Sequence, residues 1–367
     1  MKKDIYVMCG GKSVEHDVSL ISASAIINAL DRKKYNVKVV YINEKGYWKN
    51  LGILEEKIEK PEDLIVMDES INPNSINKVI EELVNNDREK VIFPALHGTY
   101  GEDGNIQGFL NVLDIPFVGN DVTSSAVAMD KAVSKDILKL KNIPQANYFY
   151  FTEVKWLREK DDLINIIENK FAYPIFIKPS RSGSSIGINR AENRFDLVTY
   201  VENAFNYDNK VVIEEEIIGR EMQVSVIGNE EPKVSVVGEF IQEKRFMDYN
   251  SKYIDGKLIQ VIPANISKKT SEEMRKLSIQ VYKALGCNGL ARIDYFVGKN
   301  EKYYICEVNT MPGFTMKSMT PVLWQKTNDT SYSSLLDILI DYSLEHYNKR
   351  NSLIYTREEK NDKKKVI

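Results

Sequence analysis

Four polar side chains near the C-terminal end of the chain have types that could hold a hard cation. Arg292 and Asp294 alternate with apolar residues in one segment, and Glu307 and Asn309 do so in the next. Two carboxylates and an amide oxygen in a half-buried place repel one another unless a positive group lies between them. Oxygen-only ligands suit Mg²⁺, which keeps waters and phosphate oxygens as its other ligands. The pattern predicts a magnesium site, and the alternative is an Arg-Glu surface ladder beside a solvated Asp.

The two segments that carry these residues are predicted to form a β-hairpin. Both are rich in Tyr, Phe, Ile and Val, and the turn-prone residues 298–300 separate them. If Val297 faces Lys302, Arg292 lies opposite Glu307 and Asp294 lies diagonally beside it. A shift by one residue would send Asp294 and Glu307 to opposite faces. Because strand side chains alternate, the four polar residues share one face, and the other face carries Ile293, Tyr295, Cys306 and Val308.

Length, composition and charge limit the class of protein. A chain of 367 residues is expected to contain two or three domains. Its 43% apolar and 28% charged residues are typical of a globular protein, and a net charge of -3 gives no electrostatic footprint for nucleic acid. Cys9, Cys287 and Cys306 have no paired spacing, which indicates buried thiols in a reducing compartment. No apolar run has the length of a signal-peptide core or a membrane span, so a cytoplasmic protein without a membrane partner is expected.

The N-terminal part has a βαβ pattern. Residues 5–9 form an apolar strand, which Gly10 and Gly11 turn into a helix with Val14, Val18, Ile21 and Ala25 at helical spacing. Further strands are predicted at residues 35–42 and 90–94. In open sheets of this kind, ligands lie at the carboxyl ends of the strands, where residues 10–12 and the glycine-rich residues 97–104 both fall.

Glu15 and His97 each have two explanations at this edge. The dipole of the first helix favours a carboxylate such as Glu15 in its first turn. A carboxylate at the ligand edge of a sheet could equally hold an ammonium group. A lone His before Gly is often a turn residue, although His97 precedes a polar glycine-rich loop.

The middle of the chain offers groups for an anion. Residues 123–125 can cap a helix running to about residue 142, which contains Lys131 as either an exposed lysine or a ligand. A strand at residues 173–179 ends in Lys178, and the loop 180–188 is rich in hydroxyls and glycines. Such a loop offers backbone N-H groups to a phosphate, but it lacks the P-loop motif, and a flexible hairpin tip is the alternative.

Later segments could hold a nucleotide. The buried strand at residues 211–221 runs into a charged corner that suits a base on apolar residues with carboxylates at its amino and ribose groups. A solvated acidic bend is the alternative. Residues 240–262 lose periodicity, which is typical of a lid or an Ω-loop. Helices are predicted at residues 270–285 and 331–346.

Taken in order over about residues 3–345, these segments resemble the D-alanine:D-alanine ligases of the ATP-grasp superfamily. The matching motifs are Gly10 to His16, His97 to Gly104 with Gln107-Gly108, Met129-Asp130-Lys131, Lys178-Pro179, Gly183-Ser184-Ser185, Gly219-Arg220-Glu221, Arg292-Ile293-Asp294 and Glu307 to Thr315. The resemblance implies an α/β fold with three-domain ATP-grasp architecture: an N-terminal Rossmann-like substrate domain (1–121), a central lid domain (122–213), a C-terminal catalytic domain (214–347) and a charged tail (348–367). ATP would lie between the last two domains.

The resemblance also implies roles for individual residues. ATP would be bound by Lys131, Lys178, Ser184, Ser185, Glu214, Ile217, Glu221, Lys252 and Asn309. Two Mg²⁺ or Mn²⁺ ions would be carried by Asp294, Glu307 and Asn309. D-Alanine would be bound by Glu15, His97, Arg292, Gly313, Ser318 and Met319, and catalysis would use Glu15, Ser184, Tyr253, Arg292 and Ser318.

The implied reaction joins two D-alanine molecules through a D-alanyl phosphate, with ADP as a product, for peptidoglycan precursors and the cell wall. Arg292 and the Gly313 N-H are candidates for the tetrahedral oxyanion. A tyrosine at position 253, linked to Ser184 and Glu15, is typical of family members that make the dipeptide rather than the D-lactate ester. Departures at Met247, Asn250 and Thr320 leave D-serine open as second substrate.

The resemblance also suggests a homodimer. Two other functions remain as alternatives. One alternative is another ATP-grasp ligase or carboxylase with a different acyl acceptor, which Glu15, Tyr253 and Ser318 disfavour. The other is a nucleotide-binding regulatory protein without catalysis. The presence of all the implied phosphate and metal ligands disfavours it, namely Lys131, Lys178, Asp294, Glu307 and Asn309.

Overall fold

The computed structural model describes residues 2–67, 71–86, 88–241 and 259–355. Its N-terminal sheet has the order β3-β2-β1-β4, with β1 parallel to both β2 and β4 and with β3 antiparallel to β2. The strands are β1 (Lys3–Gly10), β2 (Tyr35–Ile42), β3 (Trp48–Ile53) and β4 (Lys90–Pro94), and the helices are α1 (His16–Ala29), α2 (Ser75–Val84) and α3 (Asn105–Val112). A 3-10 turn spans Pro61–Leu64. The predicted βαβ pattern is confirmed here, with the ligand edge at the ends of β1 and β4.

The first helix starts later than predicted. Val14, which was predicted to belong to it, precedes it and is 66% exposed, whereas Val18 is buried and Ile21 is 39% exposed. The core side of α1 is formed by Leu20, Ala23, Ile26 and Ile27. The later start follows from the turn after β1, in which Gly10 and Gly11 have φ values of 84° and 106°, so that the helix begins only at His16.

A second, antiparallel sheet follows in the order β5-β8-β6-β7. The elements of this region are α4 (Val122–Met129), α5 (Lys131–Leu140), β5 (Tyr148–Thr152), α6 (Glu153–Lys170), β6 (Ile175–Pro179), β7 (Asn189–Ala191), α7 (Arg194–Ala204) and β8 (Lys210–Glu215). The predicted boundary between residues 213 and 214 falls inside β8.

The single helix predicted from about residue 123 to 142 is two helices. Asp130 has an extended backbone (φ -84°, ψ 97°) and ends α4, and its side chain accepts a hydrogen bond from Val133 N at the start of α5. Asp121 caps α4 in place of the predicted residues 123–125. Ala128 on α4 and Leu138 on α5 belong to the hydrophobic core of the C-terminal sheet.

The C-terminal sheet has the order β12-β11-β9-β13-β14, and β10 also pairs with β9. Its elements are β9 (Arg220–Gly228), β10 (Lys233–Val234), β11 (Gly238–Ile241), β12 (Ile259–Val261), α8 (Lys268–Ala284), β13 (Gly289–Val297), β14 (Tyr303–Asn309), α9 (Met319–Asn328) and α10 (Tyr332–Asn351). Leu335, Leu336 and Leu339 of α10 pack into the core of the N-terminal sheet, which joins the two ends of the chain. Within the described ranges, no helix is long and apolar enough to cross a membrane.

Candidate active site

The hairpin β13–β14 places Asp294 directly opposite Glu307 and Arg292 opposite Asn309. All four side chains therefore share one face, as predicted. The predicted register, with Arg292 opposite Glu307, was wrong by two residues. One residue of this error comes from the connection, because Val297 pairs with Tyr303 rather than Lys302 across a turn in which Asn300 and Glu301 have φ values of 61° and 58°. The other comes from a bulge on β14.

A β-bulge on β14 changes the place of Cys306. Asp294 pairs with Glu307 while Tyr295 pairs with Ile305, so Cys306 is the extra, unpaired residue between them. The prediction that Cys306 shares the core face was wrong, because it lines the same cavity as Glu307. Burial raises the pKa of its thiol to about 12, and the nearby Lys178 opposes that rise.

Asp294 lies at the centre of a hydrogen-bonded cluster. The Arg292 guanidinium donates from Nε to Oδ1 and from Nη2 to Oδ2, each at 2.7 Å. Oδ2 also accepts from Asn309 Nδ2 at 3.1 Å and from Gln223 Nε2 at 3.2 Å. Arg292 is thus a bidentate partner of Asp294 rather than the rung of an Arg-Glu ladder. Gln223 was missed by sequence reasoning, although its alternation along β9 places it on this face.

The donor set of this face fits a hard divalent cation. Asp294 and Glu307 supply carboxylate oxygens from directly paired positions, and Glu307 Oε2 lies 3.9 Å from Lys131 Nζ. A cation would bind the side-chain oxygen of Asn309. The Asn309 amide would then be turned over relative to the orientation in which its Nδ2 donates to Asp294. Asp294 Oδ2 already accepts three hydrogen bonds, so a cation bound there would replace at least the one from Asn309 Nδ2. No cluster of three or more His, Cys, Asp or Glu side chains suited to a metal occurs in the described ranges.

A cavity of about 1260 Å³ opens above this face between the three sheets. Most of the predicted site residues line it: Glu15, His97, Lys178, Ser184, Ser185, Glu214, Ile217, Glu221, Arg292, Asp294, Glu307, Asn309, Gly313, Ser318 and Met319. Lys131 is 8% exposed and lies beside the cavity, with Nζ donating to Ser182 O at 2.6 Å. Lys252 and Tyr253, together with Met247 and Asn250, lie outside the described residues.

One side of the cavity has a row of buried charges. Lys178 Nζ donates to Glu214 Oε2 at 3.0 Å, and Lys135 Nζ lies 3.4 Å from Glu214 Oε1. Burial lowers the pKa of Lys178, but the Glu214 carboxylate raises it by more than burial lowers it, so the pKa lies well above its ordinary value. Burial raises the pKa of Glu214, but the two ammonium groups bring it below its ordinary value. Lys135 was missed, because nothing in the local sequence of α5 distinguishes it from a surface lysine.

The loop 180–188 is fixed at its base and reaches across the cavity at its tip. Lys131 N donates to Ser180 O at 2.9 Å, and Ser180 Oγ donates to Asp130 at 2.7 Å. At the tip, Ser184 and Ser185 have φ values of 47° and 60°, a region that favours glycine. Ser184 Oγ donates to Glu15 Oε1. This contact links the loop of the second sheet to the ligand edge of the first.

His97 and Glu102 connect the N-terminal edge to the loop after β14. Ser22 Oγ bonds to His97 Nε2 at 2.9 Å, and His97 Nδ1 bonds to Met311 O at 3.2 Å. Burial lowers the pKa of His97 to about 4, so the ring is neutral and donates from Nδ1 to the carbonyl. Glu102 accepts from Gly98 N at 2.8 Å, and burial, helped by the nearby Glu15, raises its pKa to about 8. Glu102 was missed as a site residue, although it lies in the glycine-rich motif.

Ser318 and Met319 lie at the N-terminus of α9, where backbone N-H groups favour an anion. Ser318 Oγ accepts from Thr315 N at 2.9 Å. Gly313 lies next to this end of the helix, because a Cβ placed on it would be in ordinary contact with Ser318 Oγ at 3.6 Å. Thr320, one of the departures noted in the sequence, is fully buried in α9.

Two family profiles match consecutive parts of the chain. One, described as D-ala D-ala ligase N-terminus, matches residues 4–120, and the other, D-ala D-ala ligase C-terminus, matches residues 137–341. The chain belongs to the D-alanine–D-alanine ligase family. A D-alanine--D-alanine ligase of Geobacillus thermodenitrificans is 42% identical over 364 residues, covering 98% of this chain and all of that protein.

Solved structures of this family have the same fold. VanG D-Ala:D-Ser ligase from Enterococcus faecalis matches with a TM-score of 0.80 and 32% identity, covering 94% of this chain and all of that one. The ligase from Bacillus anthracis complexed with ATP matches with a TM-score of 0.72 and 29% identity, covering 95% and 99%. The predicted α/β ATP-grasp fold is therefore confirmed.

Proposed function

We propose that this chain ligates two D-alanine molecules to D-alanyl-D-alanine, with conversion of ATP to ADP, as a step toward peptidoglycan precursors. The observation that carries this proposal is the arrangement around one cavity. Three groups of side chains line this cavity. They are the polar face of β13 and β14 with Arg292, Asp294, Glu307 and Asn309, the Lys178–Glu214 ion pair, and the hydrogen-bonded pair Ser184–Glu15. Family membership and the ATP complex of a relative support it.

The first D-alanine is proposed to lie between Glu15 and Arg292. Glu15 would hold its ammonium group, and Arg292 with Gly313 N-H would hold its carboxylate. The carboxylate then attacks the γ-phosphorus of ATP, which forms D-alanyl phosphate and releases ADP. Phosphoryl transfer of this kind depends mainly on positioning and charge neutralisation. Lys131, Lys178 and the N-H groups of the loop 180–188 would supply both at the phosphates.

Asp294, Glu307 and Asn309 are proposed to hold Mg²⁺ or Mn²⁺. A divalent cation there would neutralise charge between the phosphates and the acidic face. Arg292 keeps the Asp294 carboxylate in one orientation through two hydrogen bonds. Glu214, Ile217 and Glu221 would bind the base and ribose, and Ser185, Lys252 and Asn309 would add contacts to the nucleotide.

The second D-alanine is proposed to bind with its carboxylate at Ser318 and the Met319 N-H. Its amine attacks the acyl carbon, forms the C-N bond and expels phosphate. Arg292 and Gly313 N-H would stabilise the oxyanion. We propose that His97 acts here as a neutral donor that holds Met311, rather than as an acid or base, because burial keeps its pKa near 4.

A second candidate acceptor is D-serine, because the D-Ala:D-Ser ligase VanG matches the structure with a TM-score of 0.80. The tyrosine at position 253, which is typical of family members that make the dipeptide, favours D-alanyl-D-alanine over the D-lactate ester. We also propose the three-domain division inferred from sequence, a homodimer, and a cytoplasmic location.

Measuring ADP release and identifying products with D-alanine, D-serine and D-lactate tests this function. We expect D-alanyl-D-alanine as the main product when the three compete at neutral pH. Mainly ester or mainly D-alanyl-D-serine would contradict the proposed product. ADP release that does not depend on D-alanine would instead favour another ATP-grasp reaction or a regulatory protein.

A further inference from the structure

Lys135 is a buried lysine that lies behind the cavity wall rather than on it. Its exposed fraction is 3%, and it does not line the cavity that Lys178 and Glu214 line. Its Nζ lies 3.4 Å from Glu214 Oε1, on the side of the carboxylate away from the 3.0 Å bond to Lys178. One buried carboxylate thus lies between two buried ammonium groups.

The two lysines cannot serve Glu214 in the same way. Lys178 faces the cavity, where the phosphates of a bound nucleotide would attract its ammonium group. Each time Lys178 turned to a phosphate, Glu214 would lose its hydrogen-bonded partner in a buried place. A buried carboxylate without a partner becomes protonated. Lys135 is buried and does not line the cavity, so we expect its charge to stay with Glu214.

We infer that Lys135 is a positioning residue that keeps Glu214 ionised and oriented toward the nucleotide base, and that it thereby makes the site select adenine over guanine. This inference rests on the proposed use of ATP. Apolar side chains beside Glu214, among them Phe176, Ile217 and Ile305, line the same wall and suit the faces of a base. Glu214 lies near the C-terminal end of β8, beside these apolar side chains.

The selectivity follows from hydrogen-bond chemistry. An ionised carboxylate only accepts hydrogen bonds, so it binds the 6-amino group of adenine and repels the 6-oxo group of guanine. A protonated Glu214 could donate to the 6-oxo group, and the discrimination would be lost. The charge on Lys135 therefore acts on the base through Glu214, without touching the nucleotide.

Lys135→Met tests this role, with Lys139→Met as the matched control. Lys139 is one helical turn further along α5 and is exposed. Like Lys135, it places its ammonium group over the Tyr148 ring. We expect kcat/KM for ATP to fall about 30-fold or more in Lys135→Met, mainly through KM, because one partner of a buried charge pair is lost. The ratio of kcat/KM for ATP to that for GTP should fall as well. Lys135→Arg should restore most of both, and Lys139→Met should match the wild type.

The pH dependence of KM distinguishes positioning from a general packing role. Without Lys135 the pKa of Glu214 rises, so KM for ATP should decrease as the pH is raised, whereas the wild-type KM should not follow that trend. The other titratable groups near Glu214 in the described chain include Lys178, Cys306 and Tyr148, and the carboxylates of Glu221 and Glu307 lie around the same Cys306 thiol. Burial raises the pKa of both the Cys306 thiol and the Tyr148 hydroxyl, so both stay neutral at neutral pH.

A double-mutant cycle with Glu214→Gln completes the test. If Lys135 acts through Glu214, Lys135→Met should change the ATP to GTP ratio little in the Glu214→Gln background. An equal loss in both backgrounds would overturn the inference, as would an unchanged ratio in Lys135→Met. If Lys135→Met does not fold, the same ratio and pH profile are measured on Lys135→Gln, and an unchanged ratio there also overturns it. A wild-type protein that does not form dipeptide from ATP would instead refute the proposed function.

Discussion

Asp294 and Glu307 lie directly opposite each other on adjacent antiparallel strands, so their carboxylates leave the sheet on the same face. Directly opposed like charges destabilise a strand pair unless a positive charge compensates them. Arg292 and Lys131 supply part of that compensation from the side. A divalent cation between the carboxylates would supply the rest.

Glu307→Gln should weaken the response to Mg²⁺, because it removes one of the two opposed charges. We expect the Mg²⁺ concentration for half-maximal activity to rise about 10–100-fold, the range found when groups supporting a metal site are removed. Titration of ADP release with Mg²⁺ at fixed ATP measures it. Glu230→Gln, an exposed glutamate paired with Lys349, is the control and should not change it. An unchanged titration in Glu307→Gln would remove Glu307 from the metal site.

Arg292→Ala should bind ATP but lose peptide formation. Removal of one donor to a developing oxyanion typically lowers kcat about 10²–10³-fold. Arg292→Lys should recover little, because an ammonium group cannot make the two parallel bonds that the guanidinium makes to Asp294. Nucleotide binding by calorimetry and dipeptide formation by chromatography separate the two steps. Normal turnover in Arg292→Ala would exclude this residue from the mechanism.

Glu102→Gln should remove a pH-dependent loss of stability. The pKa of Glu102 is about 8 in the folded protein, against an ordinary value of 4.5, so the folded state binds more protons than the unfolded state between these values. Wild-type stability from this group is therefore lost as the pH rises from about 4.5 through about 8. Thermal midpoints of wild type and variant across this range should separate in favour of Glu102→Gln as the pH rises. Parallel curves, as expected for the exposed control Glu81→Gln, would contradict the assignment.

Asp130→Ala should destabilise the base of the loop 180–188. Asp130 holds Lys210 Nζ at 2.6 Å, caps α5 and accepts from Ser180 Oγ. The pair with Lys210 is part-buried, so its loss should cost up to about 3–5 kcal/mol in the free energy of unfolding, the range for one partner of a buried ion pair. Glu202→Ala removes an exposed pair of similar length, 2.7 Å to Lys160, and should cost under about 1 kcal/mol. Urea unfolding measures both, and equal costs would contradict a structural role for Asp130.

The sequence was sufficient for the shared face of the acidic residues but not for their register. Strand side chains alternate with a period of two, so a two-residue error leaves Asp294 and Glu307 on one face. The bulge at Cys306 and the left-handed residues of the turn have no signature in the strand pattern. The place of Val14 in α1 was also mispredicted, because the turn at Gly10 and Gly11 delays the start of the helix to His16.

Residues that act through contacts across the fold were the ones missed. Lys135 is a lysine at an ordinary helical position, and only the packing of α5 behind β8 brings it to Glu214. Glu102 lies in a glycine-rich motif that reads as a surface loop, and its raised pKa depends on burial and on Glu15 from a distant segment. Burial and partners of this kind are set by tertiary structure, which local periodicity does not encode.

The central claim is that the γ-phosphoryl group passes to a D-alanine carboxylate over the Asp294–Glu307 face. Ligation with D-alanine labelled with ¹⁸O in its carboxylate tests this most directly, by mass analysis of the released phosphate. The account predicts one labelled oxygen in each phosphate, because the carboxylate oxygen that attacks phosphorus leaves with it when the second amine attacks. Phosphate without label, formed together with dipeptide, would contradict the acyl phosphate and with it the role assigned to this face.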